Sequence, residues 1–369
     1  MKAATVIDPR AEHLVPLLRE TGELLAARGF RVSPVGEPPP RDVKLVLHAT
    51  VPEIDRLLYV RPDPSVFVAT VVESPDGTRW DDLEELKRGT YRVLVKTMSN
   101  VVVHRVGPGG ELGGRVYLMT PELGFRSRPD GDLARRIVDY VAPLAASKVV
   151  IRNRLDEDLP EELRDGDEVA RSLMAHGRKL AEMNLLPQVF DIRSLLDERD
   201  LRLAMKIFGL KQLSYGNLSA RRDAETFWMT GRGVDKGNLR EIGRDVFLVK
   251  GYDPETATIL LSVPPGTDPT ARVSVDAIEH YKIYRAVPGV GAIVHVHAWL
   301  PGVPATLQSW PCGTEQLADE VRDLVLAAPD PSRAVIGLRN HGLTITGHSL
   351  EEIFARIEGK LVQEIPPLE

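Results

Sequence analysis

Three histidines have the residue type and spacing of a metal site. His295 and His297 stand two apart in the apolar run 290–298, which reads as a buried strand. Alternate strand residues share a face, so both imidazoles project together while Val294 and Val296 point the other way. Two neutral imidazoles can each give a ring nitrogen to a borderline-soft divalent ion, and zinc sites draw at least one further protein ligand. His341 offers it: it follows the apolar run 334–338 and so belongs to a turn at a strand end. A lone strand histidine more often hydrogen-bonds in a core than ligates, but here acids lie close in sequence. Asp276 and Glu279 open a helical run through Tyr284, and residues 311–315 lead into a second amphipathic helix over 317–326.

Two further stretches are chemically readable. In Gly216-Asn217-Leu218-Ser219 the glycine lets the backbone approach a ligand, and the Asn217 amide can donate to a phosphate or carboxylate oxygen. Thr230-Gly231-Arg232-Gly233 follows a strand over 226–229 and offers a hydroxyl, backbone amides and a cation, although an ordinary hairpin turn has the same composition.

In chain order, Gly216-Asn217-Leu218-Ser219, Thr230-Gly231, Ser274-Val275-Asp276 with His280, His295-Val296-His297, Cys312-Gly313-Thr314 and Asn340-His341-Gly342 resemble the class II aldolase/adducin family over about residues 165–369. That family holds sugar-phosphate aldolases, an epimerase, a dehydratase and decarboxylases, besides adducin, which is not an enzyme. The resemblance implies an α/β protein whose C-terminal domain is a three-layer α/β/α unit around a mostly antiparallel sheet, assembled as a homotetramer. It implies Zn2+, or another divalent metal, on His295, His297 and His341, and a phosphate cradle of Gly216, Asn217, Thr230, Gly231 and Ser274. Val275 stands where the family carries a second serine, which implies weaker phosphate binding or another anion. Asp276 occupies the place of the family's acid–base glutamate, or of an aspartate that contacts zinc in the epimerase. Glu279 is the second catalytic candidate, on a helix expected to turn it away from the metal, and His280 is expected to orient the acid. No tyrosine follows Tyr284, so the late tyrosine that protonates the departing aldehyde oxygen in the family's aldolases has no counterpart. Glu315 or water takes that part, or the reaction differs.

Three functions follow from the resemblance. The first is a class II aldehyde-lyase: retro-aldol cleavage of a phosphorylated ketose through a zinc-stabilised enediolate. The second is an epimerase, dehydratase or decarboxylase using the same metal, favoured by Asp276 and by the missing tyrosine. The third is a non-catalytic, adducin-like binding protein, for which three gathered imidazoles would have no use.

The rest of the chain must position these residues. At 369 residues it is too long for one ordinary core. A hydrophobic share of 43% and a charged share of 27% are those of a globular protein. A net charge of −6 argues against nucleic acid or an acidic membrane surface as partner. No run approaches the roughly 18 apolar residues of a membrane span, and a single cysteine excludes an internal disulfide. The expected location is the cytoplasm.

Residues 1–152 read as an N-terminal open-sheet α/β domain of open function, with strands at 2–7, 30–35, 43–48, 65–72, 92–96, 101–106, 115–119 and 148–151 and helices at 11–28, 81–88 and 130–146. No phosphate-loop or dinucleotide fingerprint occurs there, and His48 and His104 read as core or surface histidines. The acid-rich stretch 153–168 is expected to be a linker, and 169–369 the second domain, opened by a helix over 169–183. A segment over 187–213, foreign to the family pattern, suggests extra helix.

Overall fold

The computed structural model describes residues 1–63, 65–121, 125–183, 196–208, 216–363 and 365. The chain divides into two compact units: residues 1–146 with 188–208 and 366–369, and residues 147–187 with 209–365.

The first unit is an open α/β sheet. Its elements are β1 (Lys2–Ile7), α1 (Val15–Ala27), β2 (Arg31–Val32), β3 (Leu45–Ala49), β4 (Phe67–Ser74), α2 (Leu83–Thr97), β5 (Val101–Val106), β6 (Arg115–Met119), β7 (Phe125–Pro129) and α3 (Leu133–Ala145). The strand order is β2-β1-β3-β4-β5-β6-β7, parallel through β5 and antiparallel beyond. Strands β3 and β4 are buried along almost their whole length, as a parallel sheet covered on both faces requires.

Two expected strands are absent. Residues 92–96, with Val93 and Val95, look β-like but complete helix α2. Asp82 caps that helix by accepting from Glu85 N at 2.8 Å, and Leu86, Thr90, Tyr91 and Leu94 bury one face at helical spacing. Tertiary burial overrides the local preference of the β-branched pair. Residues 148–151 make only an isolated bridge, Val149 to Thr314. Strand β7 was not foreseen, because Arg126 and Arg128 mask it.

In the second unit the elements are β8 (Arg152–Asp156), α4 (Glu168–Glu182), β9 (Asn217–Arg221), β10 (Phe227–Thr230), β11 (Val246–Asp253), β12 (Thr258–Ser262), α6 (Ala277–Ala286), β13 (Ala292–Val296), α7 (Glu315–Ala327), β14 (Val335–Leu338), β15 (Gly342–Gly347) and α8 (Leu350–Ile357); α5 (Glu198–Phe208) belongs to the first unit. The sheet runs β14-β15-β13-β9-β10-β11-β12-β8, antiparallel except for the last pair. Helices α6 and α7 cover one face through Ile278, Ile283, Leu317 and Val321, which pack on Phe227, Met229, Phe247, Ile293 and Ile336. Helix α4 lies on the other face. Asp167 fixes it there, accepting from Ala170 N as the cap and from Trp228 Nε1 of β10, both at 2.9 Å.

The stretch 153–168 is therefore not a linker. It supplies β8, which pairs with β12, and Asn153 Oδ1 accepts from Val273 N at 3.0 Å. An edge strand keeps charges such as Arg152 and Arg154 in solvent, so its composition imitates a linker. Of the expected extra segment, α5 is present, while 187–195 and 209–213 lie outside the described residues.

Candidate metal and acid–base site

The site forms where several elements of the second unit end at one edge of the sheet. In β13, His295 pairs with Asn217 of β9 on one side and with Thr344 of β15 on the other. Register therefore puts these three side chains on the face that α6 covers. His297 follows the end of β13. His341 occupies the turn between β14 and β15, where Asn340 adopts a left-handed φ of 57° and His341 N donates to Leu338 O at 3.0 Å.

The three imidazoles converge. One nitrogen from each of His295, His297 and His341 lies within 4.8 Å of the others, and all three residues are buried. His295 Nε2 and His341 Nε2 are 3.1 Å apart. Ligands about 2.0–2.1 Å from a tetrahedral zinc stand roughly 3.3 Å from each other, so this pair is nearly at ligand spacing. His295 Nδ1 is 3.0 Å from Leu343 O, which fixes it as the donor and leaves Nε2 with its lone pair inward. Burial first, then the neighbouring His341, His295 and Lys236, hold the His297 imidazole well below its ordinary value and so neutral, the form that ligates. The donor set fits a divalent ion.

Two carboxylates meet this cluster with opposite electrostatics. Asp276, at the start of α6, accepts from Asn217 Nδ2 at 2.6 Å. Burial alone would raise its carboxyl, but the neighbouring imidazoles of His295 and His341 and the Asn217 amide act to lower it, and it lies below the ordinary carboxylate value. Glu279, expected to turn away from the metal, is buried against the sheet and accepts from Thr344 Oγ1 at 2.5 Å. Ala277, Ile278, Glu279 and His280 are all buried, so the first turn of α6 has no solvent face. Burial and the nearby Asp276 charge push the Glu279 carboxyl up to about 8. Its Oε2 has no hydrogen-bond partner among the described residues, as suits a carboxyl that keeps its proton. His280 Nδ1 meets Ser219 Oγ at 2.7 Å, and burial lowers it to about 3; it is a neutral, structural imidazole.

The expected cradle residues also assemble. Gly216 has φ 70°, and a Cβ there would lie 2.7 Å from His295 O, so only glycine lets this loop approach β13. Thr230 Oγ1 accepts from Leu218 N at 3.3 Å, and Ser274 N donates to Thr230 O at 3.1 Å. Gly231 N is already committed to Asp245 O at 2.7 Å.

Two residues escaped sequence reasoning. Cys312 Sγ lies 3.2 Å from His341 Nε2; its motif was noted, but not its reach across 29 positions. Lys236 sits in a polar turn that reads as surface, yet it is only 6% exposed, because Gly177 of α4 packs against its backbone. Burial lowers its ammonium to about 8, while Asp276 and Asp235 act to raise it.

Residues 200–310 match the model of the class II aldolase and adducin N-terminal domain, a stretch that holds every expected site residue but His341 and the alternative proton donor Glu315. Methylthioribulose-1-phosphate dehydratase of Serratia proteamaculans (strain 568) is 39% identical over 83 residues, 22% of this chain and 34% of that protein. The protein of the same name from Sodalis glossinidius (strain morsitans) is 29% identical over 126 residues, 34% of this chain and 51% of that one. The chain thus spans about a third to a half of the length of these curated relatives. A solved L-fuculose 1-phosphate aldolase is 16% identical, with 52% of this chain and 81% of that chain covered at a TM-score of 0.34.

Proposed function

We propose, from the premise that the C-terminal half of the chain belongs to the class II aldolase/adducin family, that its site is a metal-dependent lyase that removes water from a phosphorylated ketose. The observation that carries this reading is geometric: two buried carboxyls, Asp276 held by Asn217 and Glu279 held by Thr344, stand beside three converging imidazoles, in surroundings that lower the first and raise the second. Two carboxyls whose environments push them apart divide the roles of base and acid between them.

His295, His297 and His341 would hold the ion, which when bound supplies Lewis-acid polarisation of the ketone oxygen. Asp276, kept ionised, takes the proton from the carbon next to the ketone. Glu279, kept protonated near neutrality, gives its proton to the hydroxyl on the following carbon, which leaves as water; the electron pair of the broken C–H bond becomes the new double bond. Asn217 fixes the orientation of Asp276. The substrate phosphate is assigned to the hydroxyls of Thr230 and Ser274 and to Arg232. The Arg232 side chain is largely buried, which lowers its guanidinium, while Asp276 acts to raise it. The curated relatives are dehydratases by name. Retro-aldol cleavage, the first expectation from the sequence, is the less favoured reading for that reason.

The test is turnover by metal-loaded protein of methylthioribulose 1-phosphate and a panel of ketose phosphates, followed by mass. Loss of one water that disappears in Asp276→Ala supports dehydration. Release of a three-carbon phosphate without water loss replaces it with the aldolase reading, and an inert panel replaces both with the binding-protein reading.

A further inference from the structure

The first unit has a crevice that the lyase site does not use. Its sheet reverses direction at β1, with β2 on one side and β3 on the other, all parallel. In open α/β sheets such a reversal leaves a gap outside the carboxyl ends of the two strands, where ligands bind. A cavity of about 690 Å3 lies there, lined by Asp8 after β1, by His48 near the end of β3, and by Arg10, Arg56, Tyr59 and Arg199 among others. That volume is in the range of small-molecule sites.

The chemistry of the lining narrows the ligand. The turn after β1 is Asp8-Pro9-Arg10-Ala11, without glycine, and Asp8 already takes Arg10 N at 3.0 Å as the helix cap. A carboxylate thus holds the position that a buried pyrophosphate would need. Arg10 spends its fork on the same Asp8, at 2.8 Å, and Asp55 acts on Arg10 too. Arg56 and Arg199 form no hydrogen bond or ion pair among the described residues, and both are exposed at the rim. Deeper in, His48 is 2% exposed, and its Nδ1 meets Thr70 Oγ1 at 3.2 Å. The other ring nitrogen, Nε2, has no partner among the described residues. Burial lowers this imidazole to about 4, so it is neutral and suited to a hydroxyl rather than a counter-charge. The site therefore has two arginines at its rim beside one exposed carboxylate, Asp55, an Asp8–Arg10 pair that neutralises itself, and a neutral imidazole deeper in.

We propose that this crevice binds a small hydroxylated phosphate monoester, its phosphate on Arg56 and Arg199 and its hydroxylated end on His48. Guanidinium groups match phosphate geometry. A sugar phosphate and a nucleoside monophosphate share that chemistry; the Tyr59 ring, 40% exposed on the lining, would add stacking only for the second.

The experiment is calorimetric titration of the full chain with ribose 5-phosphate, adenosine 5′-monophosphate and inorganic phosphate, in the wild type, His295→Ala, His48→Gln and the double variant Arg56→Ala/Arg199→Ala. One ester should bind once per chain, equally in His295→Ala, and about tenfold or more weaker in both the double variant and His48→Gln. Adenosine monophosphate binding tenfold tighter than ribose 5-phosphate assigns the nucleotide; parity assigns the sugar phosphate. The proposal is overturned if neither ester binds His295→Ala, if the double variant binds like the wild type, or if inorganic phosphate binds as tightly as the esters. The two arginines are exposed, so their loss leaves the fold intact.

Discussion

The Asn217 side-chain amide donates to Asp276 Oδ2 at 2.6 Å, and Asn217 sits opposite His295 in the sheet, so one residue ties the acid to the register of the metal-ligating strand. A donor to a carboxylate favours its ionised form and lowers its pKa. Asn217→Ala should therefore raise Asp276 and move the acidic limb of the pH profile of kcat/KM to higher pH. At the same time it should cost about 1–3 kcal/mol of stability, because a buried partner is lost. An acidic limb that stays where it is in this variant would remove Asp276 from the role of base.

The three imidazoles should bind metal as a set. Dialysed wild-type protein is expected to take up close to one divalent ion per chain, with a rise in Tm as the metal binds the folded state alone. His341→Ala should lose most of that uptake. His280→Ala should keep it while falling in stability, since His280 is buried on Ser219 rather than aimed at the cluster. Equal metal content in the two variants would mean that His341 is not a ligand.

Glu279 makes a prediction that needs no substrate. Its folded carboxyl, raised to about 8 by burial and Asp276, binds a proton over a range where the unfolded chain has released it. Stability should then be full below the ordinary glutamate value and fall as pH rises through about 8. Glu279→Gln cannot ionise and should flatten that decline in metal-free protein, read by denaturant unfolding at a mildly acidic and a mildly alkaline pH. In the metal-loaded enzyme it should lower kcat about 10²- to 10⁴-fold and remove the alkaline limb. Parallel stability profiles for the two proteins would place the Glu279 ionisation elsewhere.

Much of this site could be read in the sequence because its signals are local. Two histidines at strand spacing and a third before a Gly-initiated strand announce themselves in His295, His297 and His341, and the structure brings their nitrogens together. What stayed hidden depends on contacts between distant segments. The direction in which Glu279 points is fixed by Thr344, 65 positions away, and the burial of Lys236 by Gly177 on another helix. The same holds for the fold. Helix α2 was half lost to its own valines, and strand β8 passed for a linker because an edge strand needs only one buried face. The crevice of the first unit has no motif at all; it comes from strand order, which the sequence does not spell out.

Gly216 gives the sharpest test of how the cradle supports the metal strand. Its φ of 70° is one that side-chain-bearing residues rarely adopt, and a Cβ would meet His295 O at 2.7 Å. Both effects oppose any larger residue, the first by about 1–2 kcal/mol and the second by pushing the loop off β13. Since His295 Nδ1 is held by Leu343 O on the opposite side of the strand, a displaced His295 carbonyl would also turn the ring that presents Nε2 to His341. Gly216→Ala is therefore expected to lower Tm and to weaken metal retention together. Gly266→Ala, at a φ of 79° with nothing near its Cβ, should lower Tm comparably from backbone strain while leaving metal content unchanged. If both substitutions spare the metal, the close approach of Gly216 serves folding alone, and the cradle and the metal strand are independent.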